Sequence, residues 1–299
     1  MAPRGPAGGA GPAPEGVAVI DKQAGWTSHD VVAKARGLLG TRRVGHAGTL
    51  DPDATGVLVL GVGRATRLLA YVSGLDKSYV GEVVLGTATS TLDASGEVTG
   101  TWDMARVGLA DVRRAAAGLT GDVAQVPPMV SAKQVGGRRL HELARAGVEV
   151  EREPVRVRVE RFEVAEPVAP RVFPVSVVCS SGTYVRSLVA DLGATLGGGA
   201  HLRHLRRTAV GPFTVDEALP LAALTPERLL PPVGALRGHG RVLVADELAT
   251  WVRHGRVLDE DVLGVSGDGP WAVVDDAGGL LAVYERHRGR TVKPGVVLT

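Results

Sequence analysis

A carboxylate at the tip of a glycine-rich turn is the group in this chain best suited to chemistry. In Gly45-His46-Ala47-Gly48-Thr49-Leu50-Asp51-Pro52-Asp53-Ala54-Thr55-Gly56, the acid Asp51 follows a histidine closely and precedes the apolar run Val57-Leu58-Val59-Leu60. Pro52 fixes its own φ and pushes Asp51 toward extended backbone. Gly45, Gly48 and Gly56 permit tight backbone and leave room for a large ligand to approach. An Asp-Pro turn ordinarily does no more than cap neighbouring amides. An acid held on a rigid loop against an apolar wall is also how a nucleophile or a base is presented.

The elements that must hold this turn are legible as patterns. Val17 to Ile20 opens the fold and Val57 to Leu60 reads as a buried strand. Thr27 or Ser28 caps a helix through Val31, Val32, Ala35, Leu38 and Leu39, stopped by Gly40. Further helices are expected over Ala65–Val72, Leu109–Ala117, Arg138–Ala146 and Thr183–Leu196. Strands are expected over Tyr79–Leu85, Val155–Val159 and Val172–Val178. Helices and strands alternate without a regular βαβ repeat, which predicts an α+β fold. Residues 219–240 are rich in Pro, Gly and Leu and read as a connection. After it come short strands at Val242–Val244, Trp271–Val274 and Leu280–Val283, with a hairpin signal at Asp275–Gly279.

Composition narrows the class. The 299 residues are 44% hydrophobic and 22% charged, enough for a sizeable core and about two domains. A net charge of +2 gives no global basic character, so a nucleic-acid partner must be argued from local patches. The single cysteine, Cys179, sits in a strand-like run and reads as a core thiol. No run reaches membrane-spanning length, and the start lacks a signal peptide's apolar region, so a cytoplasmic protein is expected. Residues 1–15 are nearly all Ala, Gly and Pro and are expected to be disordered. The strongest basic cluster is His201-Leu202-Arg203-His204-Leu205-Arg206-Arg207, with no acid inside it. His201 and His204 have metal-like spacing but lack a third ligand, so no metal is expected. Gly61-Val62-Gly63 lacks the third glycine and the lysine of a nucleotide-binding loop.

The turn around Asp51 resembles the signature of the TruB-type tRNA pseudouridine synthases, in which this aspartate is the nucleophile. The resemblance runs in order from about residue 16 to 210. Gly16–Lys22 and Gly25-Trp26-Thr27-Ser28 are similar to the family's opening strand and helix start. Lys77-Ser78-Tyr79, Thr89-Ser90-Thr91-Leu92-Asp93 with Gly96, and Val126–Lys133 match further motifs. So do Gly182-Thr183-Tyr184-Val185-Arg186, Gly199–Leu202 and Leu205-Arg206-Arg207. Ser90 departs from the pattern, standing where many relatives carry aspartate.

The resemblance implies conversion of the T-loop uridine at position 55 of tRNA to pseudouridine, by a stand-alone enzyme acting on a flipped-out base. A guide-RNA-dependent synthase and a non-catalytic tRNA-folding chaperone are the alternatives. It implies a mixed β-sheet pseudouridine synthase fold with flanking helices over residues 16–235, with 121–147 as an RNA-gripping insertion. Residues 241–299 resemble a small, mainly-β PUA-like RNA-binding domain. The catalytic set would be Asp51, Tyr79, Arg186 and Asp93. His46, Lys22, Tyr184, Leu205, His201, Arg206 and Arg207 would contact substrate, and Arg42, Arg43, Arg64, Arg67, Arg138 and Arg139 could add phosphate contacts. No cofactor is implied, because the product is an isomer of the substrate. The expected partner is the T arm of tRNA, met by a monomer with no membrane and no obligatory protein partner.

Overall fold

β1 (Gly16–Lys22) opens the fold, and every residue in it except Asp21 is buried. Thr27 then caps α1 (Ser28–Leu39) with a reciprocal Thr27–Asp30 box, and Gly40 ends it at φ 61°. β2 (Val44–His46) and β3 (Thr55–Val62) follow, and residues 47–54 join them. The structure is a computed structural model that describes residues 13–131, 134, 135, 137–139, 148 and 150–298. Where a single helix was expected over Ala65–Val72, a 3₁₀ turn at Gly63–Leu68 leads into the short α2 (Leu69–Ser73). The Thr66 hydroxyl donates to Gly63 O at 2.8 Å, which ties the tighter turn.

β4 (Lys77–Leu85), a hairpin of β5 (Thr87–Thr89) and β6 (Val98–Thr101), and α3 (Leu109–Ala117) come next. β7 (Gly121–Gln125) precedes a short hairpin of β8 (Gln134–Val135) and β9 (Arg138–Arg139). That hairpin corrects the helix expected over Arg138–Ala146 at its start: Gly137 turns the chain at φ 79° and β9 pairs back on β8. Residues 140–147 lie outside the described residues, as do residues 1–12 of the Ala/Gly/Pro tail. β10 (Val155–Val164), β11 (Val172–Cys179), α4 (Val185–Thr195), β12 (Ala200–Val210), β13 (Phe213–Thr214) and β14 (Leu219–Pro220) complete the larger part.

Ten strands form one mixed sheet in the order β14-β1-β3-β12-β4-β11-β10-β7, with β2 on β3 and β13 on β12. One face carries a core of Ile20, Leu58, Leu60, Tyr79, Val83 and Val177 packed under α1, α3 and α4. β12 is the hinge of the arrangement. It pairs antiparallel with β4 and, at Arg206–Arg207 only, parallel with β3. Its ladder slips twice, between Arg203 and Arg206 and between Arg207 and Ala209, and His204 sits at φ 55°. Such bulges bend a strand and re-aim its side chains.

A second, five-stranded sheet has the order β15-β17-β18-β19-β16. Its strands are β15 (Gly240–Leu243), β16 (Leu258–Asp259), β17 (Trp271–Val274), β18 (Leu280–Arg286) and β19 (Thr291–Val297), with α5 (Asp246–Arg253) and α6 (Glu260–Leu263) between them. β19 has no counterpart among the expected strands, because Pro294 and Gly295 break its pattern. This module packs on the larger sheet through one shared core. Val17, Val19, Val57, Val59 and Phe213 meet Ala272, Val283, Val296 and Leu298 there. Arg64 and Arg67 donate to the carbonyls of Leu298 and Val297, and the Tyr71 hydroxyl donates to Glu285 Oε1 at 2.6 Å. Among the described residues no helix is long and apolar enough to cross a membrane.

The approach of β12 to β3 is close because Gly56 lacks a side chain. Its φ is +101°, and a Cβ there would lie 2.1 Å from the carbonyl oxygen of Arg207. Gly56→Ala is expected to destabilise the chain by about 2–4 kcal/mol, through backbone strain plus a clash that β12 must move to relieve. Thermal melting checks this. A melting temperature within about 2 °C of the parent would show that the strands separate at little cost.

Candidate active site

Residues 47–54 carry Asp51 across the end of the sheet between β2 and β3, and side chains take over much of the work of strand pairing there. Arg207 reaches back from β12 and donates to Gly48 O at 3.2 Å and Thr49 O at 3.3 Å. The Ser28 hydroxyl accepts from Leu50 N at 2.8 Å and donates to Leu50 O at 3.2 Å. Ala54 N donates to Asp51 O at 3.2 Å. The Lys22 ammonium donates to Pro52 O at 2.8 Å, and Gly25 N reaches the same oxygen at 3.0 Å. Five consecutive carbonyls, from Gly48 to Pro52, therefore each accept a hydrogen bond. Buried peptide groups need such partners, and here they immobilise the turn.

Arg186, second residue of α4, grips the carboxylate of Asp51 with both arms. Its Nη2 lies 2.9 Å from Oδ1 and its Nε 2.9 Å from Oδ2. Nη1 donates to Thr91 O and Nη2 also to Val130 O, each at 2.9 Å. Asp93 Oδ2 stands 3.6 Å from Nε. The Arg186 side chain is 5% exposed, while that of Asp51 keeps 38% of its surface open to the adjoining hollows. Burial pushes the Asp51 carboxyl above the usual carboxylate range, and Arg186 pulls it back. The planar fork suits a bidentate carboxylate as an ammonium does not.

Asp93 is itself fixed. Its Oδ1 accepts from the hydroxyls of Thr91 and Ser95, both at 2.6 Å. Ala94 N donates to Leu202 O on β12 at 3.0 Å. Ser90, where the sequence departs from the family pattern, closes the same hairpin by accepting from Glu97 N at 3.1 Å.

Two cavities meet at Asp51, Arg186 and Leu205. The first, of about 280 Å³, is lined also by Tyr79, Lys77, Tyr184, Ser131 and Arg207. The second, of about 400 Å³, opens on the other side toward Asp53, Asp93, Arg203 and His204. Tyr79 is buried in β4 and burial raises its phenol pKa. Tyr184 is held at the start of α4 by Gln125, which accepts from Tyr184 N at 2.8 Å and donates to Tyr184 O at 3.0 Å.

The structure brings Asp51, Tyr79, Arg186, Asp93, Tyr184, Leu205 and Arg207 together, and sets other expected contacts apart. Lys22 was expected at a pocket or phosphate. It is instead 1% exposed beneath the turn, with its three donors on the carbonyls of Gln23, Trp26 and Pro52. Burial lowers its pKa to about 8, against the pull of Asp51. Arg207, expected on RNA phosphate, is also 1% exposed. Successive strand residues face opposite ways, so Arg206 and Arg207 part company: Arg206 pairs with Asp21 at 2.8 Å. The basic cluster is likewise answered across the sheet, where Glu82 on β4 takes Arg203 at 2.7 Å and His204 at 3.1 Å.

His46 lines neither cavity. Its ring meets His29 edge-on at 5.4 Å, and burial lowers its pKa. His201 Nδ1 lies 2.9 Å from Thr87 O, away from both cavities. Of the arginines suggested for phosphate, Arg42 and Arg43 are exposed, and Arg64 and Arg67 hold the chain's last strand. The side chains of Arg138 and Arg139 lie outside the described residues. Three residues went unremarked as site components. Lys77, in the Lys-x-Tyr motif, is buried on the cavity floor, and its ammonium donates to Ser73 O and Leu75 O at 2.6 Å each. Burial lowers its pKa to about 8. Ser28 looked like a helix cap, and Gln125 carried no signal at all.

Comparison with known proteins agrees with this geometry. A family model described as "TruB family pseudouridylate synthase (N terminal domain)" matches residues 36–185. A second, "tRNA pseudouridylate synthase B C-terminal domain", matches residues 186–229. A protein of Streptomyces coelicolor named tRNA pseudouridine synthase B is 46% identical, with 93% of this chain and 95% of that one covered. One of the same name from Symbiobacterium thermophilum is 49% identical over 81% and 82% of the two chains. Among solved structures, a chain of a Cbf5-Nop10-Gar1 complex superposes with a TM-score of 0.74 at 25% identity, covering 95% of this chain and 85% of that one. A chain of an H/ACA ribonucleoprotein bound to a substrate RNA containing 2'-deoxyuridine gives 0.72 at 23%, covering 96% and 86%, a likeness of fold. The chain belongs to the TruB family of pseudouridine synthases, enzymes that isomerise uridine in RNA.

Proposed function

We propose that this chain converts the T-loop uridine at position 55 of tRNA to pseudouridine, alone, with Asp51 as the reacting carboxylate. The observation that carries this reading is the Asp51–Arg186 fork at the junction of two cavities that share Leu205, the first of them walled by Tyr79. Support for tRNA comes from the relatives that match nearly end to end, each named tRNA pseudouridine synthase B. The T-loop position rests on the motif around Asp51. The reading includes a cytoplasmic monomer, with residues 241–299 as a PUA-like module that touches RNA away from the T arm.

Isomerisation breaks the bond from uracil N1 to ribose C1′ and joins C1′ to C5, which loses a proton while N1 gains one. Attack at C1′, attack at C6 and elimination to a glycal each use an ionised carboxylate beside the base. Arg186 keeps Asp51 ionised and aimed. Asp93 stands as a second carboxylate near the same Nε of the guanidinium. A paired uridine must leave its stack to reach this site, at a cost of a few kcal/mol. Stacking on Tyr79 would return about 1–3 kcal/mol of that. Leu205 and Tyr184 complete the apolar walls that keep water from the intermediate. Arg206, His201 and the exposed Arg42 and Arg43 stand outside the cavities, where tRNA backbone would pass.

The test is to map pseudouridine in a bare tRNA transcript before and after treatment with the purified chain. Modification at position 55 is expected, and a demand for added guide RNA or protein would favour the guide-dependent alternative. Asp51→Asn preserves shape and removes the charge. Its single-turnover rate is expected to fall by at least about 10³-fold with tRNA still bound. Residual turnover within about tenfold of the parent would remove Asp51 from the chemistry.

Arg186→Lys keeps the charge and loses the fork. Single-turnover chemistry is expected to slow by about 10²–10³-fold while tRNA affinity changes by about threefold or less. Rates equal to the parent would show that the fork does not serve the reaction.

Protonation of Asp51 should remove activity on the acid side. Its pKa is raised in the folded protein, so the proton binds at higher pH than on a free aspartate. The acid limb of the single-turnover rate, followed between about pH 4 and pH 8, is expected to have its midpoint above the free-aspartate value of about 3.9. A midpoint below that value would mean that Arg186 outweighs burial.

A further inference from the structure

We propose that Ser28 is a positioning residue for the reaction, holding Asp51 in place through the backbone of Leu50. This rests on the reading of Asp51 as the reacting carboxylate. Ser28 is the first residue of α1 and is 1% exposed. Its hydroxyl is not spent on the helix. Thr27 is the cap: its hydroxyl accepts from Asp30 N at 3.0 Å, and Asp30 Oδ2 accepts from Thr27 N at 2.9 Å. Ser28 Oγ turns the other way and serves a loop 22 residues further along the chain. There it meets both peptide groups of Leu50 as a neighbouring strand would, accepting from the N–H and donating to the carbonyl.

Three features make this a device for aiming the carboxylate. Leu50 directly precedes Asp51, so a shift of its peptide moves the acid against Arg186. The anchor is rigid, because α1 buries Val31, Val32, Ala35 and Leu39 in the core that also holds the Leu50 side chain. The anchor is also neutral. Lys22 and Arg207 hold the carbonyls on either side, but their charges act on groups within the site, Lys22 on Asp51 itself. Ser28 fixes geometry without adding a formal charge to the site. It lines neither cavity, so its effect on the reaction is separable from any contact with the RNA.

The experiment compares Ser28→Ala, Ser28→Thr and Ser28→Cys with the parent, in single-turnover pseudouridine formation and in tRNA affinity, below the melting temperature of each. Ser28→Ala removes both bonds. Its rate is expected to fall by about 10–100-fold, as displacements of an ångström or less do. Its affinity for tRNA should stay within about threefold, since only the chemical step is misaimed. Ser28→Thr restores the hydroxyl and should be faster than Ser28→Ala. Where Ser28→Ala does not fold, Ser28→Cys replaces it, keeping the volume with a weaker donor and acceptor. The inference is overturned by a folded Ala or Cys variant within about twofold of the parent rate, by equal losses in rate and affinity, or by Ser28→Thr no faster than Ser28→Ala. An inactive parent overturns the proposed function and this inference together, whereas a fully active Ser28→Ala in an active parent overturns this one alone.

Discussion

A guanidinium withdrawn from water must be surrounded by acceptors, and Arg186 draws its acceptors from three segments. Asp51 comes from the turn before β3, Thr91 and Asp93 from the hairpin beyond β4, Val130 from the segment after β7, and the arginine itself from α4. Each of these segments is placed by a different part of the large sheet. A buried ion pair is weak evidence of stability, because desolvation offsets its attraction. Losing one partner, however, leaves a charge stranded at a cost of about 3–5 kcal/mol. The fork is therefore better understood as a constraint on register. Alternatives that displace one segment pay that penalty at the centre of the site.

The turn bearing Asp51 meets a related constraint with different means. It leaves the sheet at β2 and rejoins it at β3, so beyond Ala47, whose N–H still reaches Val59 O, its peptides have no ladder to complete. Two buried cations and one buried hydroxyl serve instead. Lys22 and Arg207 would be costly in an apolar core, and their carbonyl partners are what make them tolerable. A rigid turn results without a disulfide or a long buried strand of its own. The same bonds leave the carboxylate as the polar group free to face a ligand.

How much of this was legible depended on the range of the interaction. α3 was readable to the residue and α1 to within one at its start, since capping and periodicity are local. Asp51, Tyr79 and Arg186 were nameable from short motifs. The fate of Lys22 and Arg207 was not, because nothing local separates a surface cation from one whose donors are taken by distant carbonyls. The acid-free run His201–Arg207 looked like an open basic patch, yet its neutralising carboxylates, Asp21 and Glu82, sit on adjoining strands. β19 was obscured by Pro294 and Gly295, and the β8–β9 hairpin by residues that also suit a helix. Those two hairpin strands pair locally, whereas Lys22, Arg207 and the basic cluster all answer to partners far away in sequence.

That distance has a consequence for synthesis. Asp51 and Arg186 are 135 residues apart. At about 5–20 residues per second, a ribosome needs roughly 7–27 s to pass from one to the other. β12, which supplies Arg207 and Leu205, emerges later still, and the apolar face of Val17, Val19 and Val57 waits for Val283, Val296 and Leu298. The acid therefore leaves the ribosome after Ser28 and Lys22 but long before the arginine that grips it. A nascent chain exposes a carboxylate without its guanidinium partner, and the reactive geometry arises only once β12 has emerged.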